Sequence, residues 1–94
     1  MEFGIAIKAA EIMDTYFLHQ IKYNKTTGKW DKGIVVKDAE GEDNLAAARQ
    51  SYHAYLGAYA YGQSTEIVYV SCKITNIYGA VVEEETWIAK EEEK

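Results

Sequence analysis

The segment from Asp43 to Tyr61 has the composition and spacing of one long helix, and segments that alternate in polarity flank it on both sides. Asp43 or Asn44 suits the N-cap, and Gly62 stands where a left-handed residue ends a helix. At the angular spacing of a helix, one stripe is expected to face the core. It consists of Leu45, Ala48, Tyr52, Tyr55, Leu56 and Tyr59.

The flanking segments predict four strands, paired as two β-hairpins. Thr15–Asn24 and Trp30–Lys37 alternate on either side of a short turn that contains Gly28. Thr65–Asn76 and Ala80–Ala89 repeat the arrangement after the helix. The expected fold is therefore α+β: a four-stranded antiparallel sheet, built from two β-hairpins and packed on one central helix, in the order ββαββ.

A chain of 94 residues forms one domain, here residues 1–94. Residues 1–13 read as an N-terminal extension in which a short helix from Gly4 to Met13 is favoured. Residues 3, 5 and 7 also alternate as a strand would, so both readings stay open. Residues 90–94 form a charged tail that is expected to fray.

Composition and the N-terminal sequence indicate in which cellular compartment this protein is expected. The chain has one cysteine and no proline, so no internal disulfide is expected. Its start is acidic and reaches Lys8 after a short apolar stretch, which does not match a secretory signal. No apolar run approaches the roughly 20 residues that span a bilayer. We expect a cytoplasmic protein with no membrane partner.

No residue pattern predicts catalysis, a metal site or a cofactor. His19 and His53 lack the spacing of metal ligands, and His19 is expected to be half-buried and hydrogen-bonded. Cys72 alternates in phase with apolar neighbours and is expected to be buried, where a thiol is a poor nucleophile. The acids at positions 83–85 alternate between faces, as on a charged edge strand. We expect a protein that is not an enzyme.

The helix has a second, small-residue face opposite its core stripe, where charged residues are usual. We take this face as a candidate interface, covered by residues 1–13, by a second subunit or by nothing. Its members are Ala47, Ser51, Ala54, Ala58 and Tyr61. A homo-oligomer is the partner arrangement that this face favours.

Aromatic residues are in surplus, with eight tyrosines and two tryptophans, and tyrosine and tryptophan are enriched at interfaces. Four of them fall on faces that we assign outward: Tyr16, Tyr61, Tyr69 and Trp87.

The first hairpin is basic, although the chain has a net charge of −5. Tyr23 and Trp30 stand among its lysines, beside Lys25 and Lys29. Aromatic rings next to cations hold nucleotides or single-stranded nucleic acids. A small anionic ligand fits these residues, while the negative whole-chain charge disfavours a nucleic acid.

Three stretches carry a resemblance to known proteins: residues 21–24 with 30–34, residues 52–62 and residues 85–87. From about Met13 to Ile88 the chain resembles small uncharacterised proteins encoded by phages and prophages of gut Firmicutes. The resemblance implies a setting in the host-cell cytoplasm. It also implies the kinds of role that such proteins have, as host-defence inhibitors or as minor virion and assembly components. It implies no site residue.

Together these features predict a small non-enzymatic binding protein that binds a host protein or sequesters a small ligand. The alternative is a phage virion structural or assembly component. A second alternative is nucleic-acid binding through the basic hairpin, residues 22–37.

Overall fold

Four strands and one helix make up the fold, in a computed structural model that describes residues 14–61 and 65–89. The predicted α+β class and the order ββαββ are confirmed. The elements are β1 (Tyr16–Asn24), β2 (Lys29–Lys37), α1 (Asn44–Tyr59), β3 (Ile67–Asn76) and β4 (Val81–Ile88). The helix expected over Gly4–Met13, the frayed tail and the Gly62 stop signal lie outside the described residues.

The strands form one antiparallel sheet in the order β2-β1-β3-β4. Each hairpin therefore contributes an edge strand and a central strand, and β1 pairs with β3 at the middle of the sheet. The β1–β2 ladder runs without interruption from Tyr16 and Lys37 to Asn24 and Lys29. The register shifts once between Tyr23 and Asn24 where β1 meets β3, and once near Thr75 where β3 meets β4.

Two side chains at the start of α1 fix where the helix begins. Asp43 is the N-cap, and its carboxylate accepts a hydrogen bond from the Ala46 N–H at 3.1 Å. Asn44 is buried instead of capping the helix, and its amide nitrogen donates to the carbonyl oxygen of Asp14 at 2.9 Å. The same side chain also bonds to the backbone of Ala39. Asn44 thereby ties the helix start to the residues that precede β1 and follow β2.

The core lies between α1 and one face of the sheet, which we call the inner face. Ala48, Tyr52 and Leu56 of the predicted stripe are buried there, and Leu45, Tyr55 and Tyr59 pack against them. The sheet contributes Leu18 from β1 and Val70, Cys72 and Ile74 from β3. The prediction that Cys72 is a buried hydrophobic residue is confirmed, and burial raises the pKa of its thiol to about 11.

Two aromatic residues were assigned to the wrong face. Tyr16 and Trp87 were expected to point outward, but both are half-buried and pack against the core beneath α1. Both edge and central strands carry apolar residues on both faces, so alternation alone does not say which face meets the helix. The inner face of β4 carries Glu83 and Glu85 beside Trp87, and these two acids made that face look solvent-exposed.

Both acids have a hydrogen-bond partner, one in α1 and one just after its end. Arg49 of α1 donates to the Glu83 carboxylate at 2.8 Å, and the Tyr61 hydroxyl donates to Glu85 at 2.9 Å. The hydrogen bond to Glu85 raises the pKa of Tyr61. Polar contacts therefore join β4 to the side of α1 and to the residues that follow it.

The opposite face of the sheet, which we call the outer face, also bears many large apolar side chains. No helix or strand among the described residues packs on it. The strand registers place the following residues on this face: Phe17, His19, Ile21 and Tyr23; Trp30, Lys32, Ile34 and Val36; Tyr69, Ser71, Lys73 and Thr75; Glu84, Thr86 and Ile88.

Candidate functional site

The tip of the first hairpin is held in place by Asn24. Its side-chain oxygen accepts hydrogen bonds from the N–H groups of Thr26 and Thr27, at 2.8 and 3.1 Å. Gly28 adopts a positive φ of 70° and donates its N–H to the Asn24 carbonyl oxygen at 2.8 Å. The loop therefore presents Lys25 and Lys29, both exposed, at a fixed end of the sheet.

An aromatic cluster lies on the outer face next to this tip. Tyr23 and Trp30 are register partners whose ring centroids are 4.9 Å apart. Tyr69 of β3 adds a third ring, 5.3 Å from Trp30 in an edge-to-face arrangement. The Trp30 side chain is nevertheless 56% exposed. The cluster is thus an ordered aromatic surface that remains open to solvent.

Tyr69 is the member of the cluster that was not assigned to the candidate site. It lies far from Trp30 in sequence and joins the cluster because β3 pairs with β1. The alternation of β3 already placed Tyr69 on the face of the strand that does not carry the buried Val70. Without the strand order, no sequence signal could show that it meets Trp30.

Two lysines share the outer face with the aromatic cluster, at different distances from it. Lys32 follows Trp30 by two residues on the same face of β2, a spacing of about 7 Å along a strand. Lys73 lies further along β3, opposite Glu84 in the β3–β4 register. Asp31, the acid of this hairpin, projects to the inner face and binds Lys22 at 2.6 Å. The cluster therefore has one cation, Lys32, close to it on its own face, and no acid in its register row.

The far end of the outer face is aliphatic on β2. Ile34 and Val36 are 59% and 47% exposed, and Phe17 lies beside Val36 on β1. His19, opposite Ile34 in register, bonds through Nε2 to the Thr75 hydroxyl at 2.9 Å. The half-buried, hydrogen-bonded state predicted for His19 is confirmed. Burial, and to a lesser extent the charge of Lys73, lowers its pKa.

The small-residue face of α1 remains a candidate interface. Ala54, Ala58 and Tyr61 are exposed, while Ala47 and Ser51 are less so. No strand of the described sheet lies over Ala54 or Ala58, because α1 turns its other side to the core. Whether residues 1–13 or a second subunit cover this face stays a prediction.

The remaining chemistry of the described residues is sparse. Within residues 14–61 and 65–89, no group of three or more His, Cys, Asp or Glu side chains is arranged to hold a metal ion. Every buried side-chain nitrogen or oxygen in that part of the chain has a hydrogen-bond partner. Of the helices in the described part, none has the length and apolar character needed to cross a membrane.

Comparison with known proteins returned no match to a protein-family model, a curated protein or a solved structure.

Proposed function

We propose that this chain is a non-enzymatic binding protein whose ligand carries a planar ring and a negative charge, held on the outer face of the sheet. The supporting observation is the exposed Tyr23–Trp30–Tyr69 cluster with Lys32 beside it. Aromatic rings stack on bases with about 1–3 kcal/mol per base, and lysines nearby attract phosphate. The spacing from Trp30 to Lys32 is comparable to that between the base and the phosphate of one nucleotide.

Two ligands share this chemistry: a free nucleotide and a single-stranded nucleic acid. The net charge of −5 favours the smaller one, because repulsion from the rest of the chain grows with the length of a polyanion. In the basic hairpin, Lys25 of the turn is available to a further phosphate, whereas the predicted contact Lys29 lies on the inner face, opposite to Trp30. A direct binding experiment has to include both probes.

The experiment uses the tryptophan in the cluster as its own reporter. The chain has two tryptophans, and Trp87 lies on the inner face, so Trp87→Phe leaves Trp30 as the single tryptophan fluorophore. Adenosine monophosphate and a short thymidine oligonucleotide are titrated into this variant. We expect saturable quenching of Trp30, and a weaker signal as the salt concentration rises.

Matched variants distinguish specific binding at the cluster from non-specific binding to exposed aromatic rings. In a calorimetric titration, Trp30→Ala should weaken binding roughly 5- to 150-fold, the equivalent of losing one stacked base. Tyr78→Ala, which removes an exposed ring far from the cluster, should leave binding unchanged. Quenching by the oligonucleotide alone would assign the site to nucleic acid. The proposal is wrong if neither probe binds at about 1 mM, which corresponds to only about −4 kcal/mol.

The biological setting rests on the resemblance to phage-encoded proteins. Sequestering a host nucleotide, or blocking a host protein, would suit an inhibitor of host defence. The alternative, a virion structural or assembly component, makes a different prediction. Detection of the chain in purified virions, or genes for capsid and tail proteins beside its own, would favour that alternative.

A further inference from the structure

The free edge of β2 differs from the other edge of the sheet in how it is protected. β4 has a register shift near Val81 and three consecutive acids, both of which discourage strand pairing. β2 is nine residues long, pairs with β1 without a bulge and contains no proline. No other strand of the described residues pairs with its second side, which therefore presents a regular row of alternate peptide groups. The device that protects this edge is charge, from Lys29, Asp31, Lys32 and Lys37, and it fails against a partner strand that meets these residues with opposite charges.

The sequence of β2 is complementary to itself in one antiparallel register. With Ile34 opposite Ile34 of a second copy, Asp31 stands opposite Lys37 and Lys32 stands opposite Val36. Opposite charges meet twice, once on each side of the symmetry axis, and no like charges are directly opposed within residues 31–37. The Asp31 carboxylate is 70% exposed even with Lys22 bound to it, so it can accept a second partner.

Among residues 14–61 and 65–89, no element covers β2 on the outer face, and on the inner face only α1 reaches it. The core beneath α1 is formed by residues of β1 and β3, and Val35 on the inner face of β2 is 36% exposed. On the outer face, Ile34 and Val36 would gain apolar neighbours from the second copy. Trp30 would lie just beyond the shared ladder, which leaves the aromatic cluster accessible.

We propose that β2 is a dimerisation edge, at which two copies of this chain pair antiparallel about Ile34 to form one continuous eight-stranded sheet. The symmetry is a closed two-fold, because each copy uses the same strand. The assembly goes beyond the ligand-binding role and does not depend on it. The backbone-paired residues 31–37 of each chain supply its affinity, as in other complexes formed by strand addition.

The test is the mass of the full chain in solution by light scattering and sedimentation across a range of concentrations. We expect twice the 10.6 kDa of one chain, in a concentration-dependent equilibrium. Ile34→Lys places two like charges on the symmetry axis, so dimerisation should weaken roughly tenfold or more. Circular dichroism confirms that this variant is folded. An equimolar mixture of Ile34→Lys and Ile34→Glu should restore dimers, since only a residue on the axis meets its own counterpart.

Two control variants distinguish this edge from the other surfaces. Ile88→Lys makes the same change on the outer face at β4, where Ile88 is 66% exposed, and it should leave the dimer intact. Ala54→Arg adds a charge to the small-residue face of α1 and should also be silent. A monomer at every concentration, or a dimer lost through Ile88→Lys or Ala54→Arg instead, would overturn the proposal. Nucleotide binding to Trp30 is measured separately, so either proposal can fail alone.

Discussion

Lys22 is an enclosed charged residue on the inner face of the first hairpin. Its side chain is only 19% exposed and binds Asp31 at 2.6 Å. Its ammonium group also lies 4.5 Å from the centre of the Tyr59 ring and 5.7 Å from that of Tyr55. One lysine therefore joins β1, β2 and α1, with its stem in apolar surroundings and its charge neutralised.

We expect Lys22→Met to lower the free energy of unfolding by about 1 kcal/mol and Lys22→Ala by about 2 kcal/mol. The first removes only the charge, and the second also removes the packed stem. Lys32→Met, on the outer face of the neighbouring strand, is the control and should change stability by less than about 0.5 kcal/mol. Urea denaturation measures all three. Equal effects at the two lysines would contradict the role given to Lys22.

His19 makes the stability of the fold sensitive to acid. Its folded-state pKa lies below the ordinary value of 6.5, because burial and Lys73 both oppose the imidazolium form. As the pH falls, the unfolded chain binds a proton before the folded one does. The contribution of neutral His19 is therefore complete above about pH 6.5 and is lost as the pH falls through the folded-state pKa.

The expected result is that the unfolding free energy of the wild type decreases more steeply than that of His19→Gln between about pH 8 and about pH 5. The glutamine side chain in this variant would keep a polar partner for Thr75 but cannot titrate. Parallel stability profiles for the two proteins would rule out His19 as the source of this acid sensitivity. Denaturant melts at several pH values provide the measurement.

At the scale of elements, the start of α1 depends on two adjacent residues with different tasks. Asp43 caps the helix from a solvent-exposed position, while Asn44 is 3% exposed and bonds to the backbone of Ala39 and Asp14. Losing an exposed cap costs about 1 kcal/mol. Losing the buried amide removes the partner of the Ala39 N–H and of the Asp14 carbonyl oxygen, and each such group costs about 1–3 kcal/mol.

Asn44→Ala should therefore destabilise the protein by about 2–4 kcal/mol, clearly more than Asp43→Ala at about 1 kcal/mol. The measurement is thermal or urea unfolding of both variants, with the exposed helix substitution Gln50→Ala as the control. If Asp43→Ala were the more damaging change, the buried amide would not be the link that holds α1 to the loops around it.

The positions of the helix and strands could be predicted from the sequence because the apolar residues of each element repeat with a clear period. The helix stripe around Tyr52 and Leu56 repeats as a helix must, and the turn at Gly28 and the predicted break between Asn76 and Ala80 bound the strands to within about two residues. Side-chain orientation was harder, since Trp87 and Ile88 are adjacent apolar residues on opposite faces of β4. The order of the strands decided which one the helix would cover.

At the scale of the whole molecule, one member of the aromatic cluster could not be predicted from the sequence. Tyr23 and Trp30 were expected together because one hairpin contains both. Tyr69 joins them because β1 pairs with β3. This contact is long-range, and local sequence patterns do not show whether the chain can offset the entropy cost of forming it. The choice of the sheet face that α1 covers is likewise a property of the assembled fold.

The central position of the β1–β3 ladder has a consequence for the order of events during synthesis. His19 and Thr75, which meet across this ladder, are 56 residues apart. At about 5–20 residues per second, the ribosome needs roughly 3–11 s to deliver β3 after β1 has been made. The first hairpin is complete at Lys37, 39 residues before β3 ends at Asn76, so for roughly 2–8 s of that interval both of its edges are unpaired. We expect chaperones to bind the nascent chain at this stage.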